Sequence, residues 1–277
     1  MTGWADLHLH TTCSDGADTP ERVMERAHEL GIAAVAITDH DTMAGVAAAR
    51  AAAQTAGMDF LEGVEISASF DGQEIHILGL GVREDTPVLK ALLERSNKDR
   101  AERAWHIVDR LDKIGVAPRA TLAAHMEGAA QLGRMHVAVA LERLGKVRTV
   151  QDAFERYLNR ACPAFVPKIL PPAADAVRTI HEARGLAFIA HPGLGHTLRR
   201  RLGSLLELPF DGIEAWHVSH TEQMVDTFKA LAGKRGLLLT GGSDCHGDIK
   251  KEKPTMGRVR TPYACYEHIR DALSKLQ

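Results

Sequence analysis

Gly31-Ile32-Ala33-Ala34-Val35-Ala36-Ile37-Thr38-Asp39-His40 is the stretch that decides the fold. A glycine stops a helix, residues 32–38 form an unbroken apolar run, and the run exits on Asp39 and His40. An apolar run without alternation fits a strand buried on both faces of a parallel sheet. Just upstream, Thr19-Pro20-Glu21 reads as a helix start. It offers a hydroxyl cap, a proline at the first helical position and an acid in the first turn.

The same helix–strand unit recurs on either side. Residues 4–7 form a short strand leading into His8. An alanine-rich helix over 43–56, closed by Gly57, is followed by a strand over 60–66 carrying Glu65. Residues 73–79 alternate polar and apolar and carry His76, and residues 88–114 have helical spacing. Later come a helix over 173–183, a strand over 186–190 ending at His191, and a strand over 212–216. A helix over 221–235 and a strand over 237–241 then lead to Asp244. Such alternation predicts a mostly parallel sheet with right-handed crossovers, closed as a (β/α) barrel. Residues 99–165 break the rhythm, being rich in Ala, Arg, Leu and Glu at helical spacing. They read as a helical insertion acting as a lid, with the barrel formed by residues 1–98 and 166–277.

Composition sets outer limits. A chain of 277 residues suffices for one large α/β domain with an insertion. A net charge of −2 argues against broad electrostatic capture of nucleic acid but leaves room for a local anion pocket. Arg199-Arg200-Arg201 reads as a solvated helix start. Cys13, Cys162, Cys245 and Cys265 form no CxxC pair, so zinc-ribbon and thioredoxin readings fail. With no signal-like start and no long apolar run, the expectation is a cytoplasmic protein without membrane contact.

The chemistry lies in residues placed at predicted strand exits, where barrels gather functional groups. These are His8, His10, Asp15, His40, Glu65, His76, His191, Asp244 and His246. His8-Leu9-His10 turns two imidazoles to one face, because strand side chains alternate. Asp244-Cys245-His246 does the same after a Gly241-Gly242 turn. Glu65 is a carboxylate on a strand that reads as buried, so it needs a cation or a strong partner. Asp6 is read as the carboxylate that orients a ligand histidine. Mixed imidazole and carboxylate donors suit manganese, iron(II) or zinc better than an all-oxygen magnesium cage.

Taken together, His8-Leu9-His10 with Asp15, Thr38-Asp39-His40, Glu65, His76, Ala190-His191-Pro192 and Ser243-Asp244-Cys245-His246 resemble the polymerase and histidinol phosphatase (PHP) family along nearly the whole chain. The resemblance implies an α/β fold, a distorted (β/α)7 barrel, with two or three divalent cations per chain, manganese first and iron(II) or zinc as alternatives. It implies one cation on His8, His10, Glu65 and Asp244. A second would sit on Glu65, His76 and His191, with Glu65 bridging, and a third on Asp15, His40 and His246. The stretches Gly133-Arg134-Met135-His136-Val137-Ala138 and Phe165-Val166-Pro167-Lys168 resemble the stand-alone phosphoesterases of the family.

Such a centre predicts phosphoester hydrolysis, in which cations acidify water and neutralise phosphoryl oxygens. Glu65 and His191 are the expected catalytic residues. His191, His217 or a water would protonate the leaving group. Arg134 and Lys168 are expected to hold a second, non-reacting phosphate, Arg through its planar fork and Lys as a point charge. His136 and His217 would assist in binding, and Glu214 would line the pocket. Trp105 is expected in packing, while Trp216 is a candidate for base stacking. The expected reaction removes the 3'-phosphate of a nucleoside 3',5'-bisphosphate such as pAp. The alternatives are 5'→3' exonuclease action on short RNA and histidinol-phosphate hydrolysis. No obligate protein partner is expected.

Overall fold

The computed structural model describes residues 3–127, 132–194, 196–247 and 255–276, apart from the side chains of residues 196–199. Two compact units emerge: Met1–Leu93 with Leu170–Gln277, and Glu94–Ile169.

The first unit opens with β1 (Trp4–Leu9), α1 (Pro20–Glu29), β2 (Ala34–Ile37), α2 (Val46–Thr55), β3 (Asp59–Phe70) and β4 (Gln73–Leu80). The start of α1 is built as its sequence suggests. Thr19 caps it by accepting Arg22 N–H, Pro20 is the first helical residue, and Gly31 takes φ +72° just past the end. The helix α3 (Pro87–Lys113) then runs into the second unit.

That unit continues with α4 (Arg119–Ala124), α5 (Arg134–Arg143), α6 (Val150–Ala153) and a π-helical turn over Phe154–Leu158. Its own core gathers Ile107, Val108, Leu111, Leu122, Val137 and Leu141. Trp105 packs against that core with the Arg119 guanidinium 5.0 Å over its ring. The chain returns through α7 (Ala173–Glu182), β5 (Leu186–Ile189), α8 (His196–Leu205), β6 (Gly212–His217), α9 (Glu222–Arg235), β7 (Leu238–Gly242), β8 (Thr261–Pro262) and α10 (Tyr263–Ser274).

The strands form one sheet in the order β7-β6-β5-β4-β3-β2-β1-β8. The edges then meet. Asp244 N–H, just past β7, donates to the His8 carbonyl at 3.0 Å, and His10 N–H donates to that of Cys245 at 3.1 Å. The result is the expected distorted barrel, nearly closed, with a two-residue β8 added on β1. Strands β1, β2 and β3 are mutually parallel, as are β5, β6 and β7. β4 is antiparallel to both its neighbours.

That reversal corrects one expectation. His76 does not end a parallel strand but sits within β4, and Glu65 lies midway along β3. β3 runs on past its parallel partner and folds back through Asp71-Gly72, with Gly72 at φ +72°, so one hairpin carries both residues. Period-two alternation marks a strand but not its direction. Gly241 and Gly242 are likewise not a turn but the end of β7. The pair β8 and α10 had no counterpart in the sequence reading. α10 buries Tyr266 and Ile269 in the cluster that holds Leu7, Leu80 and Phe188.

Among the described residues, no helix is long and apolar enough to cross a membrane. A local pair gives a testable pH effect. His181 on α7 lies 2.7 Å from Asp211, whose same oxygen accepts Ala187 N–H at 2.7 Å. The hydrogen bond to Asp211 raises the His181 pKa. A raised histidine contributes stability below its unfolded value of about 6.5 and loses it as pH climbs through the folded value. His181→Ala is therefore expected to cost up to about 1 kcal/mol near pH 5.5 and less near pH 8.5, read by urea denaturation at both pH values. The cost is small because both side chains are about a third exposed.

Candidate metal centre

Glu65 is the hub. Its strand position is set by β2's exit: Glu65 N–H donates to the Asp39 carbonyl at 3.2 Å and Asp41 N–H donates to the Glu65 carbonyl at 2.9 Å. Oε2 of Glu65 meets His8 Nε2 at 3.3 Å, His10 Nε2 at 3.2 Å and His40 Nδ1 at 3.1 Å. Its other oxygen, Oε1, meets His76 Nδ1 at 3.0 Å and His191 Nε2 at 3.1 Å. Asp244 Oδ1 closes on His8 Nε2 at 3.4 Å and His10 Nε2 at 3.1 Å. Toward the rim, Asp15 lies 3.3 Å from His246 Nε2 and 4.0 Å from His40 Nε2.

All nine sequence candidates therefore come together. Three groups have donor atoms within 4.8 Å of one another: His8, His10, Glu65 and Asp244; His10, Asp15, His40 and His246; and His40, Glu65 and His76. The first matches the quartet implied by the family resemblance. His191 joins the third through its Nε2, 3.3 Å from His76 Nδ1.

The donor set fits divalent cations on a physical test. His8 Nε2, both ring nitrogens of His10 and Glu65 Oε2 are buried without a hydrogen-bond partner of sound geometry. Buried polar atoms left so are costly, and several lone pairs aimed at one point are what a cation satisfies. Two of the nine also hold non-glycine residues in the left-handed region: His191 at φ 28° and Asp244 at φ 49°. Such strain is retained where surrounding contacts fix it, commonly at functional sites.

The electrostatics agree. Burial alone would raise the Glu65 pKa, but His40, His76 and His8 outweigh it and hold the carboxyl well below its ordinary range. Asp244 is lowered the same way, burial being overcome by His8, His10 and His217. In return, His10 is pushed up to about 10, burial being overcome by Asp244 and Glu65, and His76 to about 9, burial being overcome by Glu65 and Glu74. His40 goes the other way, held well below its ordinary value by burial. A cation binding here competes with protons for the same nitrogens.

Around the nine stands a set of orienting groups. Asp6 was the expected orienter of a histidine; instead its Oδ1 accepts Ser243 N–H at 2.8 Å, and burial raises its pKa to about 7. The carboxylate behind His8 is Glu214, whose Oε1 lies 3.0 Å from His8 Nδ1. Nothing local marks that role, since the two residues are 206 positions apart. Asp39 accepts Thr11 N–H and Thr11 Oγ1, both at 2.7 Å, and Ser14 Oγ at 2.5 Å, so it shapes the loop after His10. His217 is buried, with Nδ1 accepting Ser219 N–H at 3.1 Å and Nε2 3.4 Å from Asp244 Oδ2. His246 turns Nδ1 to the Asp244 carbonyl at 3.0 Å, leaving Nε2 for Asp15.

The expected substrate contacts Arg134, His136 and Lys168 belong to the second unit, where all three are half-buried and partnered. Arg134 opens α5, with its guanidinium 5.6 Å from the Phe154 ring. Trp216 packs on the barrel core with Lys229 Nζ 6.0 Å over its ring. Of the arginine run, Arg201 pairs with Asp71 at 3.2 Å, and the Arg199 side chain lies outside the described residues.

The sequence profile of the PHP domain matches residues 6–162. The chain is 37% identical to a 3',5'-nucleoside bisphosphate phosphatase of Chromobacterium violaceum, over 87% of this chain and 86% of that protein. It is 36% identical to a 5'-3' exoribonuclease of Haemophilus influenzae, over 89% and 91%. With a phosphoribosyl 1,2-cyclic phosphate 1,2-diphosphodiesterase of Eggerthella lenta it shares 37% identity, over 87% and 94%. Among solved structures, one assigned to the metal-dependent phosphoesterases, from Bifidobacterium adolescentis, superposes with a TM-score of 0.84 at 29% identity, covering 96% of this chain and 95% of that one.

Proposed function

The chain belongs to the PHP-domain family, and from that premise we propose that it is a metal-dependent phosphohydrolase that removes the 3'-phosphate of nucleoside 3',5'-bisphosphates, converting pAp to AMP and phosphate. The observation that carries the hydrolytic reading is the convergence of five imidazoles on the two oxygens of Glu65. Two or three cations are assigned to this set. His8, His10, Glu65 and Asp244 would hold one, and Glu65, His76 and His191 a second. Asp15, His40 and His246 would hold a third. Manganese is the first candidate, since imidazole and carboxylate donors together suit such ions.

When bound, the cations would polarise the phosphoryl oxygens and lower the pKa of the attacking water. The chain's own residues do the rest. Glu65 holds the ligand rings in register, and the buried walls limit water and strengthen the field on the phosphate. His191 turns Nε2 to Glu65 and His76, the face assigned to the second cation, so that nitrogen carries no proton for the leaving oxygen. His217 backs Asp244. Arg134 and Lys168, with His136, are assigned to the non-reacting 5'-phosphate. Arg134→Ala is expected to raise KM about tenfold or more while leaving bound metal unchanged, measured by steady-state kinetics beside elemental analysis.

A second reading, 5'→3' exonuclease action on short RNA, is favoured by the likeness to the Haemophilus influenzae enzyme. Both chemistries cleave at a 3'-linked phosphate while a 5'-phosphate is gripped. The test is product formation by manganese-loaded protein on pAp, AMP, histidinol phosphate, a 5'-phosphorylated RNA ladder and phosphoribosyl 1,2-cyclic phosphate in parallel. The proposal expects phosphate release from pAp well above all others. Stepwise shortening of the ladder with pAp untouched would establish the second reading. Turnover confined to the cyclic phosphate would overturn both.

A further inference from the structure

Strand β6 carries none of the nine candidate ligands, yet two of them hang from it. Glu214 on β6 is fully buried, and each of its oxygens has its own donor. Oε1 lies 3.0 Å from Nδ1 of His8 on β1, and Oε2 accepts the backbone N–H of His191, just past β5, at 2.6 Å. Beyond the same strand, His220 grips the other end of the turn that His191 opens. Its Nε2 accepts Gly193 N–H at 3.0 Å, and so its Nδ1 carries the proton and donates to the Ala215 carbonyl at 2.8 Å. Between the two grips His191 is held at φ 28°, a conformation that costs energy in a residue with a Cβ and persists where surrounding contacts fix it. The absence of a side chain at Gly193 is part of the device: a Cβ there would lie 2.5 Å from His220 Cδ2 and 2.8 Å from its Nε2.

We propose that Glu214 and His220 are positioning residues of the metal centre. Glu214 fixes the His8 ring with Nε2 toward Glu65 and Asp244. With His220 it pins the turn that carries His191 Nε2 to Glu65 and His76. The chemistry of the side chain is specific. A carboxylate accepts at both oxygens, whereas glutamine has one acceptor and one NH2 and can serve His8 or His191 but not both. A carboxylate behind a ligand imidazole also fixes its tautomer and raises its basicity, and losing such a partner typically costs about 10- to 100-fold in metal affinity. The inference rests on reading the nine-residue cluster as a metal centre.

The experiment is a Mn2+ titration of chelator-treated full-length protein, by calorimetry or by the electron-spin signal of free Mn2+. It compares wild type with Glu214→Gln, His220→Ala and Gly193→Ala, with the melting temperature of each metal-free protein alongside. Glu214→Gln is expected to bind about 10- to 100-fold more weakly or to lose an ion per chain. His220→Ala and Gly193→Ala should both weaken binding by about tenfold, because each frees the same turn by a different route. At saturating Mn2+, KM should stay near wild type while kcat falls. A purely structural role would lower the metal-free melting temperature and leave affinity and kcat alone; that result, or wild-type affinity in Glu214→Gln, overturns the proposal. Should Glu214→Gln fail to fold, His220→Ala and Gly193→Ala decide it. A wild type that binds no Mn2+ would instead overturn the metal-centre reading itself.

Discussion

Glu65→Gln is expected to leave at most one cation in the centre and to lower kcat on the order of 10³-fold or more, since even indirect partners of a metal site are worth about 10- to 100-fold. Charge as well as geometry is at stake. Glu65 is 1% exposed and stands within 3.0–3.3 Å of nitrogens from His8, His10, His40, His76 and His191. Glutamine keeps the shape but removes the negative charge that lets several cations, or several protons, share that volume. It also turns an NH2 toward nitrogens that a cation needs. Removing one partner from a buried charge cluster typically costs about 3–5 kcal/mol, so the metal-free variant should also melt earlier. Glu65→Asp separates charge from reach: it keeps the carboxylate but withdraws it by a methylene, and it should retain more metal than glutamine does. Elemental analysis of the two variants beside their kinetics is the check. A Glu65→Gln protein with full metal content would remove Glu65 from the ligand set.

Why the ligands were legible and their supports were not follows from how each is specified. Metal ligation restricts residue type to a few side chains, and period-two alternation puts His8 and His10 on one face, so both signals are local. The parallel strands were readable for a similar reason: residues 32–38 are apolar because both faces are buried. Glu214 and His220 obey no such restriction. Glu214 reads in sequence as a pocket liner, but nothing there ties it to a histidine 206 residues away. Asp39 was visible within Thr38-Asp39-His40, but its task of gathering Thr11 and Ser14 depends on contacts 25 to 28 residues away. His76 was found as a strand residue while its strand's direction was not, because direction is set by the Asp71-Gly72 reversal rather than by β4's own pattern.

Gly242→Ala is expected to cost the barrel both stability and metal. In sequence Gly242 reads as part of a turn, but it ends β7 without a positive φ, paired with His217 of β6. What it supplies is room. A Cβ there would lie 2.4 Å from His8 Cβ, 2.5 Å from His8 N and 2.8 Å from His8 Cα. Two of those atoms are backbone, so no rotamer change relieves the clash. The strands that must part are those whose approach closes the barrel, next to the Asp244 N–H bond to the His8 carbonyl. Overpacking of a core usually costs about 1–3 kcal/mol; a clash against backbone at the seam should reach or exceed the top of that range. The displaced residue is itself a candidate ligand, so lost stability and lost metal should come together. Urea denaturation of the metal-free protein and a Mn2+ titration of the folded fraction separate the two. If Gly242→Ala kept wild-type stability with weakened binding, the seam would be more pliant than the packing implies and His8 alone would have moved. If both were unchanged, β1 and β7 would not close as described, and the quartet built on His8 would lose its geometric basis.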